Sequence, residues 1–255
     1  MNLASETLII TRRNLVKSVR VPILLFMSLF QPLLFLILFS QIFSSLANLP
    51  GFPYATYLQF LVPAIIAMTA LSSAFQSGLG TVADIEDGML DKFLIAPIHR
   101  VSVMSGRILA DGARIIAQAA VVIVTAFAMG ARYETGILGI FMMIFLASIF
   151  GMAWAGLSNI VALRTRNAEV TMVIGIVLLF PILFLSTGFM PAALLPDWLD
   201  TVAKFNPLTY LIDAERALVN DGWNWTLIMQ SIGVTVLLGA VTLTGATRAF
   251  RKAIS

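Results

Sequence analysis

No cysteine occurs in the 255 residues, histidine occurs once, and from Val21 to Ala83 there is no Asp, Glu, Lys or Arg. The missing cysteines exclude disulfides and thiolate sites. With His99 as the sole imidazole, a histidine-rich metal site is excluded and a Ser-His-Asp arrangement has no spare ring; His99 reads as a loop residue at a membrane surface. The four lysines, Lys17, Lys92, Lys204 and Lys252, follow Val16, Asp91, Ala203 and Arg251. None follows glycine, so there is no G-x-x-x-x-G-K-[ST] phosphate loop and the chain cannot hydrolyse ATP alone. No catalytic, cofactor-binding or metal-ligating residue is assigned.

Charge is scarce everywhere. Charged residues make up 11% of the chain and hydrophobic ones 59%, against roughly 25% charged in soluble domains. Four more charge-free runs follow the first, at Ile115 to Ala131, Thr135 to Leu163, Val170 to Pro196 and Gly222 to Thr247. Each is near or above the roughly 20 residues that cross a bilayer core. The first run is long enough for two crossings and breaks at Leu46-Ala-Asn-Leu-Pro-Gly-Phe-Pro-Tyr54, where prolines and glycine end a helix. Runs such as Ile174 to Phe180 are apolar on every side, and alternating barrel strands do not recur. Helices are the other structure that can span a membrane. The expected fold is therefore an all-α membrane protein with six transmembrane helices in a single domain over 1–255, at about 21–44, 58–82, 108–131, 136–163, 170–190 and 226–247.

The positions of the basic residues orient it. With the N-terminus in the cytoplasm, thirteen fall inside: Arg12, Arg13, Lys17, Arg20; Lys92, Arg100, Arg107, Arg114; Arg164, Arg166; Arg248, Arg251 and Lys252. Only Arg132, Lys204 and Arg216 fall outside, which satisfies the positive-inside rule with both termini cytoplasmic. The location expected is the inner membrane of a prokaryotic cell. The excess of 16 bases over 13 acids is too small to suggest a nucleic-acid partner.

Before the first span, residues 1–20 predict an amphipathic helix lying in the interface. Ala4, Leu8, Leu15 and Val19 share one side with Ile9 and Val16 at its flank, while Arg13, Lys17 and Arg20 gather opposite. Leu3 and Ile10 fall on the polar side. No ionisable residue sits at mid-span, as an ion-coupled carrier would need; Asp111 with Arg107 and Arg114 predicts a local ion cluster near one end of the third span. Gln31, Gln41, Gln59, Gln76, Gln118 and Asn159 are expected to join helices by hydrogen bonds. The spacing of Ala147, Gly151, Ala155 and Asn159, and of Ala70, Ala74 and Gly78, marks close helix packing. Phe35, Phe39 and Phe43 form an aromatic edge suited to lipid or subunit packing.

Two loops carry more specific patterns. Residues 84–100 form an inner loop in which Leu90, Phe93 and Leu94 share a helical face and Pro97 ends the helix. A short helix with an exposed apolar face suits a groove on a soluble partner or the membrane surface. Residues 190–225 form an outer segment. Asn206 is a good N-cap, Pro207 suits the first helical position and Phe205 is placed to staple to Tyr210. A second helix should begin near Asp197, giving a hairpin that dips into the outer leaflet, because Asp200, Lys204, Asp213, Glu215 and Arg216 are costly to bury.

Here the chain resembles, over nearly its whole length, the permease subunit of type-2 ABC exporters, in the daunorubicin-resistance-like branch. One matching pattern is Glu86, Gly88, Leu90, Phe93, Leu94 and Pro97, which in that family forms the coupling helix. The other, more specific, runs through Gly188 to Pro191, Pro196, Trp198, Asn206 to Tyr210 and Arg216. The acidic stretch Asp84 to Asp87 departs from the basic residue many members carry, so the charge of the partner's groove does not transfer.

The resemblance implies an exporter of an amphipathic drug, lipid or lipid-linked molecule, working by alternating access. Two permease copies would form the pore, and two copies of a separate ATP-binding subunit, holding ATP and Mg, would act on the coupling residues. Gly188, Pro191, Trp198, Asn206, Pro207, Tyr210 and Arg216 would shape the external gate. The alternatives are a self-contained secondary transporter or channel, which should show broken helices at mid-membrane, and a non-transporting membrane assembly factor.

Overall fold

The computed structural model describes residues 2–20, 22–49, 52–89 and 99–252. Among them the chain forms nine α-helices and no strand. These are α1 (Leu3–Arg20), α2 (Pro22–Ile42), α3 (Tyr57–Glu86), α4 (Arg100–Ala128), α5 (Gly136–Thr165), α6 (Ala168–Phe184), α7 (Asp197–Phe205), α8 (Pro207–Asn220) and α9 (Trp225–Lys252). Four, α3, α4, α5 and α9, are long and apolar enough to cross a membrane. Of the six expected spans, the other two correspond to shorter apolar helices, Ser28–Ile42 within α2 and Ala168–Phe184. The fifth expected span, to 190, stops at Phe184: residues 185–190 are irregular, and the Leu185 carbonyl is taken by Asn206 and those of Thr187 and Gly188 by Arg216.

Helix α3 is the axis of the bundle. From Phe60 to Leu71 its hydrophobic side chains are fully buried, and it packs against α2, α4, α5, α6 and α8. Such a helix is apolar on all faces because all faces are covered. α5 lies along one side of α3, and α9 closes over α5 and α8. The small-residue stripes mark these crossings. A methyl group on Gly78 would meet Ser158 Oγ at 2.2 Å and its carbonyl oxygen at 2.7 Å, and one on Gly151 would meet Ile115 Cδ1 at 2.3 Å. Backbone approach of this kind supplies dispersion contact that lipid cannot oppose hydrophobically.

Two of the polar side chains expected to join helices, Gln118 and Asn159, do so. Gln118 Nε2 donates to Ser28 Oγ (2.6 Å), and Asn159 Nδ2 to Ser77 Oγ (3.0 Å), while Thr81 bonds Asn159 Oδ1. The aromatic edge of α2 turns inward as well as outward. Phe35 stacks on Phe39 (4.9 Å between centroids), Phe39 meets Phe189 edge-on (5.6 Å), and Phe43 packs on Tyr57 (5.7 Å). Part of that edge is thus covered by this chain itself.

Candidate functional site

At one end of the bundle α1 lies across α4. The crossing is close: a Cβ on Gly106 would lie 2.8 Å from Ile10 Cβ and from the Thr7 carbonyl. Ile10, on the wrong side for a membrane-facing stripe, is buried against this contact. Leu8, Ile9 and Val16 remain exposed, so α1 presents its apolar stripe away from the protein. On its other side Glu6 and Arg13 turn inward, while Arg20 stays exposed. Glu6, 1% exposed, accepts hydrogen bonds from the His99 backbone N–H (2.9 Å) and Ser102 Oγ (3.0 Å), and its Oε2 lies 3.1 Å from His99 Nδ1. His99 is the N-cap of α4 and caps nothing with its own side chain; the carboxylate at that helix terminus is supplied by α1. The His99 N–H holds the Glu6 carboxyl below its ordinary range, against the effect of burial. His99 is therefore a joint between two helices and not a loop residue alone.

A second joint lies at Asp84. The acidic loop expected to open there does not: α3 continues to Glu86, and Asp84 is buried. Its Oδ1 accepts from Arg13 (2.8 Å) and Lys17 (3.1 Å) of α1, and its Oδ2 from Arg107 of α4. Arg107, Arg13 and Lys17 together offset the cost of burying this carboxylate. Arg107 was expected beside Asp111; it goes to Asp84, and Arg114 pairs with Asp111. The acid that set this sequence apart from its family pattern is thus consumed by the chain's own cations.

Between α1, α2, α3 and α4 lies a cavity of about 530 Å³, whose lining includes Lys17, Gln31, Gln76, Arg107, Asp111 and Arg114. Asp111 is 3% exposed, and its Oδ2 has no hydrogen-bond partner, nor has Arg114 Nε.

Of the expected coupling residues, Glu86 is exposed at the end of α3 and Gly88 follows with φ of +62°. That left-handed backbone, with the Asp87 and Gly88 N–H groups bonded to the Ala83 and Ile85 carbonyls, terminates α3 and explains the glycine. Leu90, Phe93, Leu94 and Pro97 lie outside the described residues.

At the opposite end, α7 and α8 begin where Asp197 and the Asn206-Pro207 pair predict. Asn206 Oδ1 accepts from the Leu208 N–H (3.0 Å), capping α8. Its Nδ2 donates to the carbonyls of Ile182 (2.6 Å) and Leu185 (3.1 Å), the unfinished end of α6. The Phe205 staple does not form as a buried contact, since Phe205 is 85% exposed; Tyr210 Oη closes that turn by donating to the Lys204 carbonyl (2.9 Å). Gly222, at φ +97°, ends α8.

Burial of Arg216 was expected to be too costly, yet it is 4% exposed. Four partners offset the desolvation. Nη2 donates to the Thr187 (2.8 Å) and Gly188 (3.4 Å) carbonyls, Nη1 lies 3.2 Å from Asp213 Oδ1, and the guanidinium sits 4.0 Å over the Phe60 ring. Thr187 Oγ1 also donates to Asp213 (2.8 Å), and Tyr57 Oη to the Phe189 carbonyl (3.2 Å). Gly188 packs against Ala64 and Ile212, too tightly for a larger residue without adjustment. Gly188, Asn206, Pro207 and Arg216 are thereby brought together with the end of α6. Trp198 stands 62% exposed on α7, away from this buried knot, and Pro191 is buried at the start of a 3-10 turn. Thr187, Asp213, Tyr57 and Phe60 were missed by sequence reasoning. Glu215 is also fully buried, with neither oxygen hydrogen-bonded, and that burial pushes its carboxyl up.

Residues 5–219 match the family model of the ABC-2 type transporter. The chain is 25% identical over 232 residues to the "Daunorubicin resistance ABC transporter permease protein DrrB1" of Streptomyces coeruleorubidus, covering 87% of this chain and 79% of that protein. It is 28% identical to the "Probable doxorubicin resistance ABC transporter permease protein DrrC" of Mycobacterium tuberculosis, over 86% of this chain and 78% of the relative. It is 32% identical to the "Putative transport permease ycf38" of Porphyra purpurea, over 81% and 72%. A bundle of apolar helices matched to such permeases over most of its length is a multi-pass membrane protein, and the chain belongs to the ABC-2 type transporter family as a transport permease.

Proposed function

We propose that this chain is the membrane subunit of an ATP-driven exporter, crossing the inner membrane six times with both termini cytoplasmic. α2 and α6 supply the two crossings that are shorter than the others; the thirteen-to-three distribution of basic residues supports the orientation. α1 then lies in the inner interface, and α7 with α8 forms a hairpin in the outer leaflet. Two copies would form the translocation path and two ATP-binding subunits, carrying ATP and Mg, would dock on residues 84–100. No cofactor is assigned to the permease itself. The relatives named for daunorubicin and doxorubicin resistance support an amphipathic cargo, a drug, lipid or lipid-linked molecule, moved by alternating access.

The observation that carries this reading is the convergence of α1, α3 and α4 on Asp84 and Glu6. One end of the expected coupling loop follows the α3 terminus that carries Asp84, and the other, His99, is held by Glu6. A force applied to that loop reaches three helices together, so movement of a docked ATPase has a stiff path into the bundle. At the far end, Asn206 and Arg216 tie the α8 hairpin to α6 and α3, which couples an external gate to the same bundle axis.

Docking is tested by co-purifying a tagged ATP-binding subunit with wild type and with Phe93→Asp. A carboxylate in place of a buried ring costs several kcal/mol, so recovery should fall about a hundredfold or more. Asp221→Ser, at an exposed position at the opposite end of the bundle, serves as control. Equal recovery in all three would show that the loop is not the docking element.

A further inference from the structure

We propose that the cavity between α1, α2, α3 and α4 is a binding site for an anionic phospholipid whose headgroup carries hydroxyl groups. Charge is the first argument. Among the described residues the lining holds the cations Lys17, Arg107 and Arg114 against the carboxylates Asp84 and Asp111, and Asp84 is shared by Lys17 and Arg107. A surplus cation in a partly desolvated site favours an anionic occupant.

The unpaired atoms define that occupant further. Arg114 Nε is a buried donor without a partner, and Asp111, 3% exposed, keeps one carboxylate oxygen, Oδ2, that accepts no hydrogen bond although the Ser77 hydroxyl stands beside the group. A bare phosphate answers the first and repels the second. A phosphodiester beside hydroxyls answers both, with the phosphate toward Arg114 and a hydroxyl donating to Asp111 Oδ2. Gln31 and Gln76, also in the lining, offer amides that both donate and accept, as hydroxyl recognition requires.

Depth points to a lipid as the source. α1 crosses α4 at Gly106, and Asp111 and Arg114 follow about 7 and 12 Å further along α4 at 1.5 Å per residue. With α1 in the interface, as the function proposed above requires, that places the polar cavity at the headgroup and upper acyl region of the inner leaflet. The volume of about 530 Å³ accommodates a headgroup and the start of its chains, and α1 exposes Leu8, Ile9 and Val16 to the acyl layer.

Purified permease, without its ATP-binding subunit, is presented with equimolar phosphatidylglycerol and phosphatidylethanolamine and its adducts are read by native mass spectrometry. Phosphatidylglycerol should be preferred by about tenfold or more, and Asp111→Asn/Arg114→Gln, which removes a charge pair and leaves neither ion alone, should abolish the preference. Gln76→Leu leaves every ion pair in place and should weaken the adduct several-fold at unchanged melting temperature. Soluble sn-glycerol 3-phosphate at matched concentration should not displace the lipid. Equal binding of the two lipids, an unchanged preference in both variants, or displacement by glycerol phosphate would overturn the proposal. Because no nucleotide or ATPase is present, these outcomes are independent of whether export is ATP-driven.

Discussion

Arg216 holds its guanidinium 4.0 Å above the ring of Phe60, across 156 residues of chain and between the outer hairpin and the central helix. The contact makes a buried cation tolerable. The ring faces one side of the ion, while the Thr187 and Gly188 carbonyls accept from Nη2 and Asp213 from Nη1, leaving Nε without a partner.

Replacing Phe60 by Leu keeps an apolar group under the guanidinium but removes the π face. A desolvated cation–π contact is worth about 2 kcal/mol, and the ring-to-aliphatic change leaves some unfilled volume. Phe60→Leu should therefore lower stability by about 2–3 kcal/mol in detergent unfolding. Arg216→Met should cost more than Phe60→Leu, since it also frees two carbonyls and Asp213. Similar losses in the two variants would show that the carbonyl and carboxylate contacts contribute little.

Asn206 combines a cap with a clamp. Asn206→Ala removes the acceptor for the Leu208 N–H and the donor for the Ile182 and Leu185 carbonyls. The cap alone is worth about 1 kcal/mol. Hydrogen exchange should quicken at the start of α8 and the end of α6 together, and export should fall while ATPase docking is retained. Faster exchange in α8 alone would separate the two roles.

Protonation of Glu6 should loosen α1 from α4. Folding depresses this carboxyl, so its contribution to stability is complete above the ordinary carboxylate range near pH 4 and is lost as pH falls through the lower folded value. Glu6→Gln should lower stability at neutral pH and should show less loss on acidification than wild type. Wild type and variant with parallel pH profiles would contradict the assigned role.

The helices were legible because apolar runs, charge gaps and caps are local. Thr56 before α3, Asn167 before α6 and Asn206 before α8 each accept a backbone N–H at the start of a helix, and such caps can be read from a few residues. The joints were not legible. Nothing adjacent to Asp84 shows that Arg13, 71 residues away, will meet it, and its acidic surroundings suggested a loop. Glu6 capping α4 across 93 residues is the same case. Arg216 misled for a physical reason: burial looked prohibitive when the cost of the ion was counted without the carbonyls of residues 187 and 188, which become available only because α6 stops early. The family pattern marked Gly188, Asn206 and Arg216 as notable, but their partners Phe60, Thr187 and Asp213 emerge from packing alone.

The central claim is that this permease moves its cargo only when an ATP-binding subunit acts on it. Permease and ATP-binding subunit are reconstituted in inside-out proteoliposomes with a fluorescent amphipathic cation such as doxorubicin or a labelled lipid, and accumulation is followed. The account predicts accumulation with both subunits and ATP, none with the permease alone under an imposed proton or sodium gradient, and loss with Phe93→Asp. Gradient-driven accumulation by the permease alone would contradict it.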